Sequence, residues 1–318
     1  VIVSGEPNSI FLEIFFKVYK KKIKKKLKTP VLLITSKNHL LHQMKHFNYK
    51  FKVKVIDNFK LDILNLDNKK INIIDIKFSF KKVFDKISSK SNTHIKKSFK
   101  TGLRLMKKNL GIALINGPIS KKHFLGKNYL GITEYLAKNT KSKSVMLIYN
   151  NKFSVSPITT HLPIKNVSKN IKKETIINNV KVINNFYINC KNKRPIIAIM
   201  GLNPHCETIN KFSEENKIIK PAIKKLIKNK IKVEGPFSAD TFFNKQNINK
   251  FDVAIGMYHD QVLIPIKTIF NFDAINLTLG LPFLRVSPDH GPNEKMVGKN
   301  KSDSKSLLKC IDFIEKYK

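Results

Sequence analysis

The chain has 318 residues, and its 61 Lys and Arg against 22 Asp and Glu give a formal net charge of +39. A hydrophobic share of 42% with 22 Phe argues against a disordered chain, and three cysteines without CxxC spacing argue against a disulfide framework or a cysteine-based zinc site. No apolar run approaches the roughly 20 residues that span a bilayer, and no signal-peptide pattern is present. We therefore expect a cytoplasmic protein with no membrane partner.

The positive charge has two interpretations, nucleic-acid binding and a solvated coat of lysines. Only Arg104, Arg194 and Arg285 are arginines, so the planar fork that pairs bidentately with bases and phosphates is scarce. The lysines are spread along the whole chain, and net charge argues about non-specific association rather than about fold. We expect a lysine coat and no specific nucleic-acid partner.

Strand-like and helix-like segments alternate along the chain. Apolar, β-branched runs predict buried strands at Val1–Ser4, Pro30–Thr35, Ile71–Ile76, Gly111–Ile115, Val145–Tyr149, Phe153–Thr160, Pro195–Met200 and Asp252–Met257. Apolar residues at i, i+3 and i+4 predict amphipathic helices at Ser9–Lys26, Asn92–Asn109, Val167–Asn185 and Glu214–Lys228. This alternation is typical of the α/β class with largely parallel strand pairing.

Three histidines follow strand-like runs and are candidate metal ligands. His161, His205 and His259 come after Phe153–Thr160, Pro195–Met200 and Asp252–Met257, so they could converge at one edge of a sheet. Three imidazoles with an open position can form a catalytic divalent-metal site. Three unrelated loop histidines fit the spacing equally well, because no short HxxxH or HxH pair occurs.

Three further histidines, His39, His42 and His46, stand at i, i+3 and i+7 on a predicted helix. No carboxylate accompanies them to hold the rings toward a metal. We interpret them as the surface of a helix.

Eight different short motifs stand along the chain, most of them in predicted loops. They are Gly5-Glu6-Pro7, Asn116-Gly117-Pro118-Ile119-Ser120-Lys121, Gly131-Ile132-Thr133-Glu134, Gly201-Leu202-Asn203-Pro204-His205, Gly235-Pro236-Phe237-Ser238-Ala239-Asp240-Thr241, Tyr258-His259-Asp260-Gln261, Asn276-Leu277-Thr278-Leu279-Gly280-Leu281-Pro282-Phe283-Leu284-Arg285 and Asp289-His290-Gly291. Together, and in this order, they resemble the 4-hydroxythreonine-4-phosphate dehydrogenase family.

The resemblance implies a fold of two α/β/α domains with an active-site cleft between them, as in isocitrate and isopropylmalate dehydrogenases. Residues 1–125 with 300–318 would form the first domain. Residues 126–299 would form the second, which would carry the metal ligands and the interface of a homodimer whose active site lies between subunits.

The resemblance also implies an activity, the oxidation of a small phosphorylated substrate in pyridoxal 5'-phosphate biosynthesis. An NAD- or NADP-dependent enzyme would oxidise the secondary hydroxyl of 4-phosphooxy-L-threonine to a β-keto acid, which decarboxylates to 3-amino-2-oxopropyl phosphate. A divalent ion, Zn, Mg or Co, would act as a Lewis acid on the substrate oxygen. No GxGxxG motif follows a strand, so the cofactor-binding residues are left unassigned.

The resemblance assigns roles to individual residues. The family's metal ligands fall on His161, His205 and His259, and its substrate-binding residues fall on Thr133, Lys267, Asn276 and Arg285. Asp240 and Asp260 are candidate catalytic groups that polarise or orient near the metal, and Lys267 is a third catalytic candidate. The alternatives are a helix N-cap for Asp240, a turn residue for Asp260, a surface lysine for Lys267 and a strand-end cap for Asn276.

One departure from the family pattern bears on the substrate. Ile132 stands where the family usually has a histidine that would touch the substrate phosphate. A related dehydrogenase acting on another phosphorylated hydroxy acid, of the phospho-threonate or phospho-erythronate type, is therefore an alternative. A basic nucleic-acid-binding protein is the rival from a different class.

Overall fold

A computed structural model of the chain describes residues 1–57, 66–126, 129, 131–206, 209–271, 273–288 and 290–317. The contacts divide it into two compact units, Val1–Tyr135 with Pro282–Lys318 (unit 1) and Leu136–Leu281 (unit 2). Of the helices in the described part, none is long and apolar enough to cross a membrane. The domain bounds expected from the resemblance, and the dimer interface assigned to the second domain, stay a prediction.

The strands are β1 (Ile2–Val3), β2 (Leu32–Thr35), β3 (Val53–Val55), β4 (Ile71–Asp75), β5 (Ala113–Asn116), β6 (Val145–Tyr149), β7 (Ser154–Thr159), β8 (Ile197–Met200), β9 (Val233–Phe237), β10 (Val253–Tyr258), β11 (Ile275–Leu279) and β12 (Leu284–Pro288). The α-helices are α1 (Phe11–Val18), α2 (Lys24–Lys26), α3 (Lys37–His46), α4 (Asn92–Lys107), α5 (Ile132–Thr140), α6 (Val167–Asn170), α7 (Lys173–Lys191), α8 (Lys220–Lys228), α9 (Ala239–Phe242), α10 (Lys245–Lys250), α11 (His259–Phe270) and α12 (Lys305–Tyr317). Single π-helical turns, Tyr19–Ile23 and Glu215–Ile219, join α1 to α2 and precede α8.

The strands of unit 1 are paired in the order β3-β4-β2-β1-β5-β12, and every pair is parallel. Val3 pairs with both Ile34 and Asn116, so the loops after β1 and β5 leave the sheet side by side. The Glu6 backbone N–H donates to the Pro118 carbonyl at 2.8 Å. Parallel pairing thus brings the Gly5-Glu6-Pro7 and Gly117-Pro118 motifs into contact.

The strands of unit 2 are paired in the order β11-β6-β7-β10-β8-β9. The β11–β6 and β6–β7 pairs are antiparallel, and the β7–β10, β10–β8 and β8–β9 pairs are parallel. Fully buried apolar side chains, among them Phe153, Ala254 and Val262, form the core between the sheet and α11. The mixed but largely parallel pairing confirms the predicted α/β class.

The predicted strands are all present, and the predicted helices need three corrections. The segment Glu214–Lys228 begins with the π-helical turn Glu215–Ile219, and its α-helix starts only at Lys220. The segment Val167–Asn185 is not one helix, because Ile171 buries its side chain from an extended backbone position between α6 and α7. The segment Ser9–Lys26 is interrupted by the π-helical turn Tyr19–Ile23. Four strands were not predicted, β3, β9, β11 and β12, because their polar, glycine and proline residues break the apolar run that marks a buried strand.

The interpretation of His39 as a surface residue is wrong. Its side chain is 1% exposed, and Nε2 donates to the Val83 carbonyl at 2.9 Å. The rings of Phe78 and Phe80 pack edge-on against the imidazole, at centroid distances of 5.4 and 4.8 Å. His94 of α4 is also buried and lies against Phe78. An aromatic segment distant in sequence therefore covers this face of α3.

These two histidines should make unit 1 sensitive to acid. Burial lowers the pKa of His39 and that of His94 from 6.5 to about 4. Between pH 6.5 and 4 the unfolded chain therefore binds protons that the folded chain does not, so the free energy of unfolding falls as the pH falls. The loss is on the order of 3 kcal/mol for each histidine at pH 4.

Urea unfolding of His39→Leu at several pH values measures this effect. We expect the slope of unfolding free energy against pH, between pH 6.5 and 4.5, to decrease by up to about 1.4 kcal/mol per pH unit. His42→Leu, an exposed position on the same helix, should keep the wild-type slope. An unchanged slope in His39→Leu would contradict the account.

Candidate active site

The candidate site lies at the carboxyl ends of three neighbouring parallel strands of unit 2, β7, β10 and β8. His161 follows β7, His259 follows β10 as the first residue of α11, and His205 lies in a 3₁₀ turn after β8. The Thr159 hydroxyl donates to the Met257 carbonyl at 2.8 Å, which ties the ends of β7 and β10 together. The topology thus brings all three predicted histidines to the same edge of the sheet.

His161 and His259 form a pair. Their ring centroids are 5.7 Å apart. Two imidazoles that share an ion at about 2.1 Å from each nitrogen have ring centres roughly 5–6 Å apart. Both rings line a cavity of about 180 Å³ whose walls are Thr160, His161, Leu162, Ile164, Val167, Tyr258, His259 and Asp260.

Asp260 orients His259. The Asp260 Oδ1 atom lies 2.6 Å from His259 Nδ1, so the ring donates from Nδ1 to the carboxylate and presents the Nε2 lone pair elsewhere. A carboxylate behind the imidazole is the usual partner of a metal-ligating histidine. The alternative of a turn residue is wrong, because Asp260 lies in the first turn of α11.

The turn that carries His205 contacts α9, which carries the carboxylate of Asp240. The pKa of Asp240 is lowered mainly because the Ser238 hydroxyl donates to it at 2.5 Å, and the charge of His205 also lowers it. Asp240 is in the first turn of α9, whose N-cap position is Ser238, so the alternative of an N-cap is wrong. His205 itself has φ 53°, a left-handed conformation, and so does Cys206 at φ 60°.

The donor chemistry of this edge fits a divalent transition metal, since imidazole nitrogens suit several such ions. The structure brings His161 together with His259, and it places the turn that carries His205 against α9, which carries Asp240. Across the ranges that the structure describes, no group of three His, Cys, Asp or Glu side chains stands close enough to hold an ion. The three-histidine set therefore stays a prediction.

Two other predicted residues belong to unit 2. Lys267 is exposed on α11, about 12 Å along the helix axis from His259 at 1.5 Å per residue. Asn276 lies inside β11 opposite Ile148, rather than at the strand end. Its Oδ1 atom is buried and accepts no hydrogen bond from any described residue, so a polar acceptor is available there.

The remaining predicted residues belong to unit 1. Thr133 is buried in the first turn of α5. Arg285 on β12 is 1% exposed, and its Nε donates to Asn116 Oδ1 at 2.8 Å. Burial lowers the pKa of Arg285 to about 10, against the opposing influence of Cys310 and Glu134. Asp289, from the last motif, lies outside the described residues.

Sequence reasoning missed two residues beside the site, Gln261 and Glu215. Gln261 stands within the Tyr258-His259-Asp260-Gln261 motif, where its side chain had no assigned role. Glu215 is 0% exposed although it follows Glu214 in a lysine-rich helix. Its position in that run offered no signal of burial.

The fold is that of the isocitrate dehydrogenases. The crystal structure of isocitrate dehydrogenase from Methylococcus capsulatus matches 98% of this chain and 83% of that chain with a TM-score of 0.51, at 7% identity. More narrowly, the sequence profile of the family described as "Pyridoxal phosphate biosynthetic protein PdxA" matches residues 26–314. The chain belongs to this family.

Individual relatives agree. A 4-hydroxythreonine-4-phosphate dehydrogenase from Sulfurihydrogenibium sp. is 43% identical over 209 residues, which are 63% of each chain. A Bradyrhizobium diazoefficiens protein named "Putative D-threonate 4-phosphate dehydrogenase" is 32% identical over 69% of this chain and 68% of its own length. The crystal structure of 4-hydroxythreonine-4-phosphate dehydrogenase from Klebsiella pneumoniae is 26% identical, with a TM-score of 0.82 over 99% of this chain and 97% of that chain. The sequence match thus spans less than two thirds of the first of these relatives.

The contact between Asn116 and Arg285 can be tested by substitution. Asn116→Leu removes the acceptor of the Arg285 Nε proton inside unit 1, and removing a partner of a buried polar group costs about 1–3 kcal/mol. We expect the free energy of unfolding in urea to fall by that amount. Like Asn116→Leu, Asn116→Asp loses the amide N–H that donates to the Gly117 carbonyl. It keeps an acceptor oxygen for Arg285, so its free energy of unfolding should fall less. Equal stabilities of Asn116→Leu and the wild type would contradict the contact's role.

Proposed function

We propose that this chain is an NAD- or NADP-dependent dehydrogenase that oxidises 4-phosphooxy-L-threonine at its secondary hydroxyl. The β-keto acid product then loses carbon dioxide to give 3-amino-2-oxopropyl phosphate, a step of pyridoxal 5'-phosphate biosynthesis. The observation that carries the proposal is the pairing of His161 with His259, oriented by Asp260, at the strand edge where the family motifs lie. Membership of the PdxA family supports the reaction class.

In this proposal His161, His205 and His259 hold a divalent ion, Zn, Mg or Co, which supplies Lewis acidity toward the substrate hydroxyl. Asp260 keeps the His259 ring in the tautomer whose Nε2 is free of a proton. Asp240 is proposed to polarise or orient a group near the ion, and its charge interacts with that of His205.

Four residues are proposed to bind substrate. Lys267 and Arg285 are cations suited to phosphate and carboxylate, and the planar guanidinium of Arg285 can pair with two oxygens at once. Asn116 fixes the plane of that guanidinium through Nε. Asn276 and Thr133 supply an amide and a hydroxyl. Lys267 is also proposed as a catalytic group, because its ammonium can hold and release a proton.

The quaternary and cellular parts of the proposal follow from the family resemblance of the motifs alone. We propose a homodimer with the active site at the subunit interface, and a cytoplasmic location. Neither depends on the chemistry assigned above.

A second candidate substrate is a phosphorylated four-carbon hydroxy acid such as D-threonate 4-phosphate. Ile132 favours it, because an apolar side chain at the start of α5 removes the histidine that the family directs at the threonine-derived phosphate. The similarity to the Bradyrhizobium protein favours it too.

Turnover of both substrates distinguishes the two candidates. Purified protein with one equivalent of Zn²⁺ or Co²⁺ is given 4-phosphooxy-L-threonine or D-threonate 4-phosphate, with NAD and with NADP, and reduced cofactor is followed by absorbance. We expect kcat/KM for 4-phosphooxy-L-threonine to exceed kcat/KM for D-threonate 4-phosphate at least about tenfold. This ratio corresponds to about 1.4 kcal/mol of transition-state binding. If NAD or NADP were reduced only with D-threonate 4-phosphate, the second candidate would be the substrate.

The His205→Ala variant tests the ligand set independently of the substrate. We expect bound metal after dialysis to fall well below one equivalent, and activity to fall by more than the 10–100-fold cost of losing an outer-shell partner. His42→Ala, at an exposed position in unit 1, is the matched control. Full metal content and full activity in His205→Ala would contradict the three-histidine assignment.

A further inference from the structure

We infer that Gln261 and Glu215 are positioning residues that hold the loop carrying His205 in place against the end of β10. The loop, Gly201–Cys206, follows β8, and His259 follows β10. This inference rests on the proposed metal site, because it assigns these two side chains the task of presenting one of its three imidazoles.

Gln261 links the two strand ends with a single amide group. Its Oε1 accepts from the Met257 backbone N–H at 2.7 Å, and its Nε2 donates to the Gly201 carbonyl at 2.7 Å. Met257 lies two residues before His259, and Gly201 is the first residue of the loop. One side chain, with both of its polar atoms engaged, therefore joins the two strand ends beyond their last paired residues, Ile199 and Ile255.

Glu215 accepts hydrogen bonds from the residues of the loop. Its carboxylate is fully buried and accepts three hydrogen bonds, from Leu202 N at 2.7 Å, Asn203 N at 2.8 Å and Asn203 Nδ2 at 2.9 Å. A buried carboxylate is tolerated only when it is satisfied in this way. If the loop opened, the carboxylate of Glu215 would lose these three hydrogen-bond donors while it is buried. The burial of Glu215 and the conformation of the loop therefore depend on each other.

The conformation that these contacts hold is one that the loop would otherwise avoid. His205 and Cys206 are consecutive residues with positive φ, although both carry a Cβ. The loop is also closely packed, since a Cβ on Gly201 would lie 2.8 Å from Cys206 Sγ and 3.2 Å from Glu215 Oε1. Backbone of this kind persists where the surroundings over-determine it. Here Glu215 holds Leu202 and Asn203, and Gln261 holds Gly201, within the loop that leads to these two residues.

The consequence concerns metal affinity rather than global folding. When either contact is lost, the loop can relax to a conformation with negative φ, and the His205 imidazole is no longer held in the position that the proposed ion requires. The ion would then keep two imidazoles and gain solvent. We expect the affinity for a divalent ion to fall by 10–100-fold, as when an outer-shell partner of a metal ligand is removed.

Two Gln261 variants test the expected fall in metal affinity, which is measured by titrating Co²⁺ in competition with a chromophoric chelator. Gln261→Met keeps the length of the side chain and removes both hydrogen bonds. Gln261→Glu keeps an acceptor for Met257 N, removes the donor to Gly201, and adds a negative charge that would by itself tighten cation binding. Weaker Co²⁺ binding in both variants supports positioning. Gln246→Met, on the exposed face of α10, should bind like the wild type.

Glu215→Gln is the third variant, with Glu174→Gln at an exposed position of α7 as its control. The visible spectrum of the Co²⁺-saturated protein is the readout that a merely structural role would not change, because it reports the ligands on the ion. We expect its bands to change in Glu215→Gln and in both Gln261 variants, and not in the two controls. Thermal unfolding of each metal-free protein is measured alongside.

The outcomes separate this inference from the proposed function. Wild-type protein that binds no Co²⁺ or Zn²⁺ overturns the metal site and the inference together. Wild-type protein that binds Co²⁺, with affinity and spectrum unchanged in Gln261→Met and Glu215→Gln, overturns the inference alone. Tighter binding by Gln261→Glu also overturns it, because charge and not position would then govern the affinity.

Discussion

The parallel pairing of β7, β10 and β8 is the constraint on which the candidate site depends. Tyr258 pairs with Thr159, and Ile255 pairs with Ile199, so the three carboxyl ends reach the same edge of the sheet. Backbone hydrogen bonds fix this register, and a slip of one residue would turn every side chain to the other face. His161 and His259 are neighbours because of that register, although they are 98 positions apart in the sequence, and His205 follows the strand paired with β10.

A few buried charged side chains, rather than the net charge of +39, stabilise the local structure through their hydrogen bonds. Most lysines lie on the surface, where single ion pairs contribute little. By contrast Glu215 and Arg285 are each about fully buried, and their side-chain hydrogen bonds fix a loop in unit 2 and a strand end in unit 1. Glu6 is a third case, since burial raises its pKa while Ser91 donates to its carboxylate. The surface lysines contribute in a different way, through a weak long-range attraction for phosphorylated substrates, which salt would screen.

Much of the fold was predictable, because buried strands and amphipathic helices carry local signals. The apolar runs located β7, β8 and β10, and the placement of His161 and His259 followed because each comes within two residues of a strand end. His205 was harder to place, since several loop residues intervene and its left-handed backbone is set by tertiary contacts. The burial of His39 could not be predicted, because it depends on Phe78 and Phe80, about 40 residues away. The roles of Gln261 and Glu215 depend on the same kind of long-range contact.

The central claim is that His161, His205 and His259 share one divalent ion. Zinc K-edge X-ray absorption on protein loaded with one equivalent of Zn²⁺ counts the imidazoles directly, because ring scattering distinguishes histidine from solvent and carboxylate ligands. We predict three imidazole nitrogens at about 2.0–2.1 Å and a fourth ligand that is not an imidazole, such as a water oxygen. A shell with two imidazoles or fewer would contradict it.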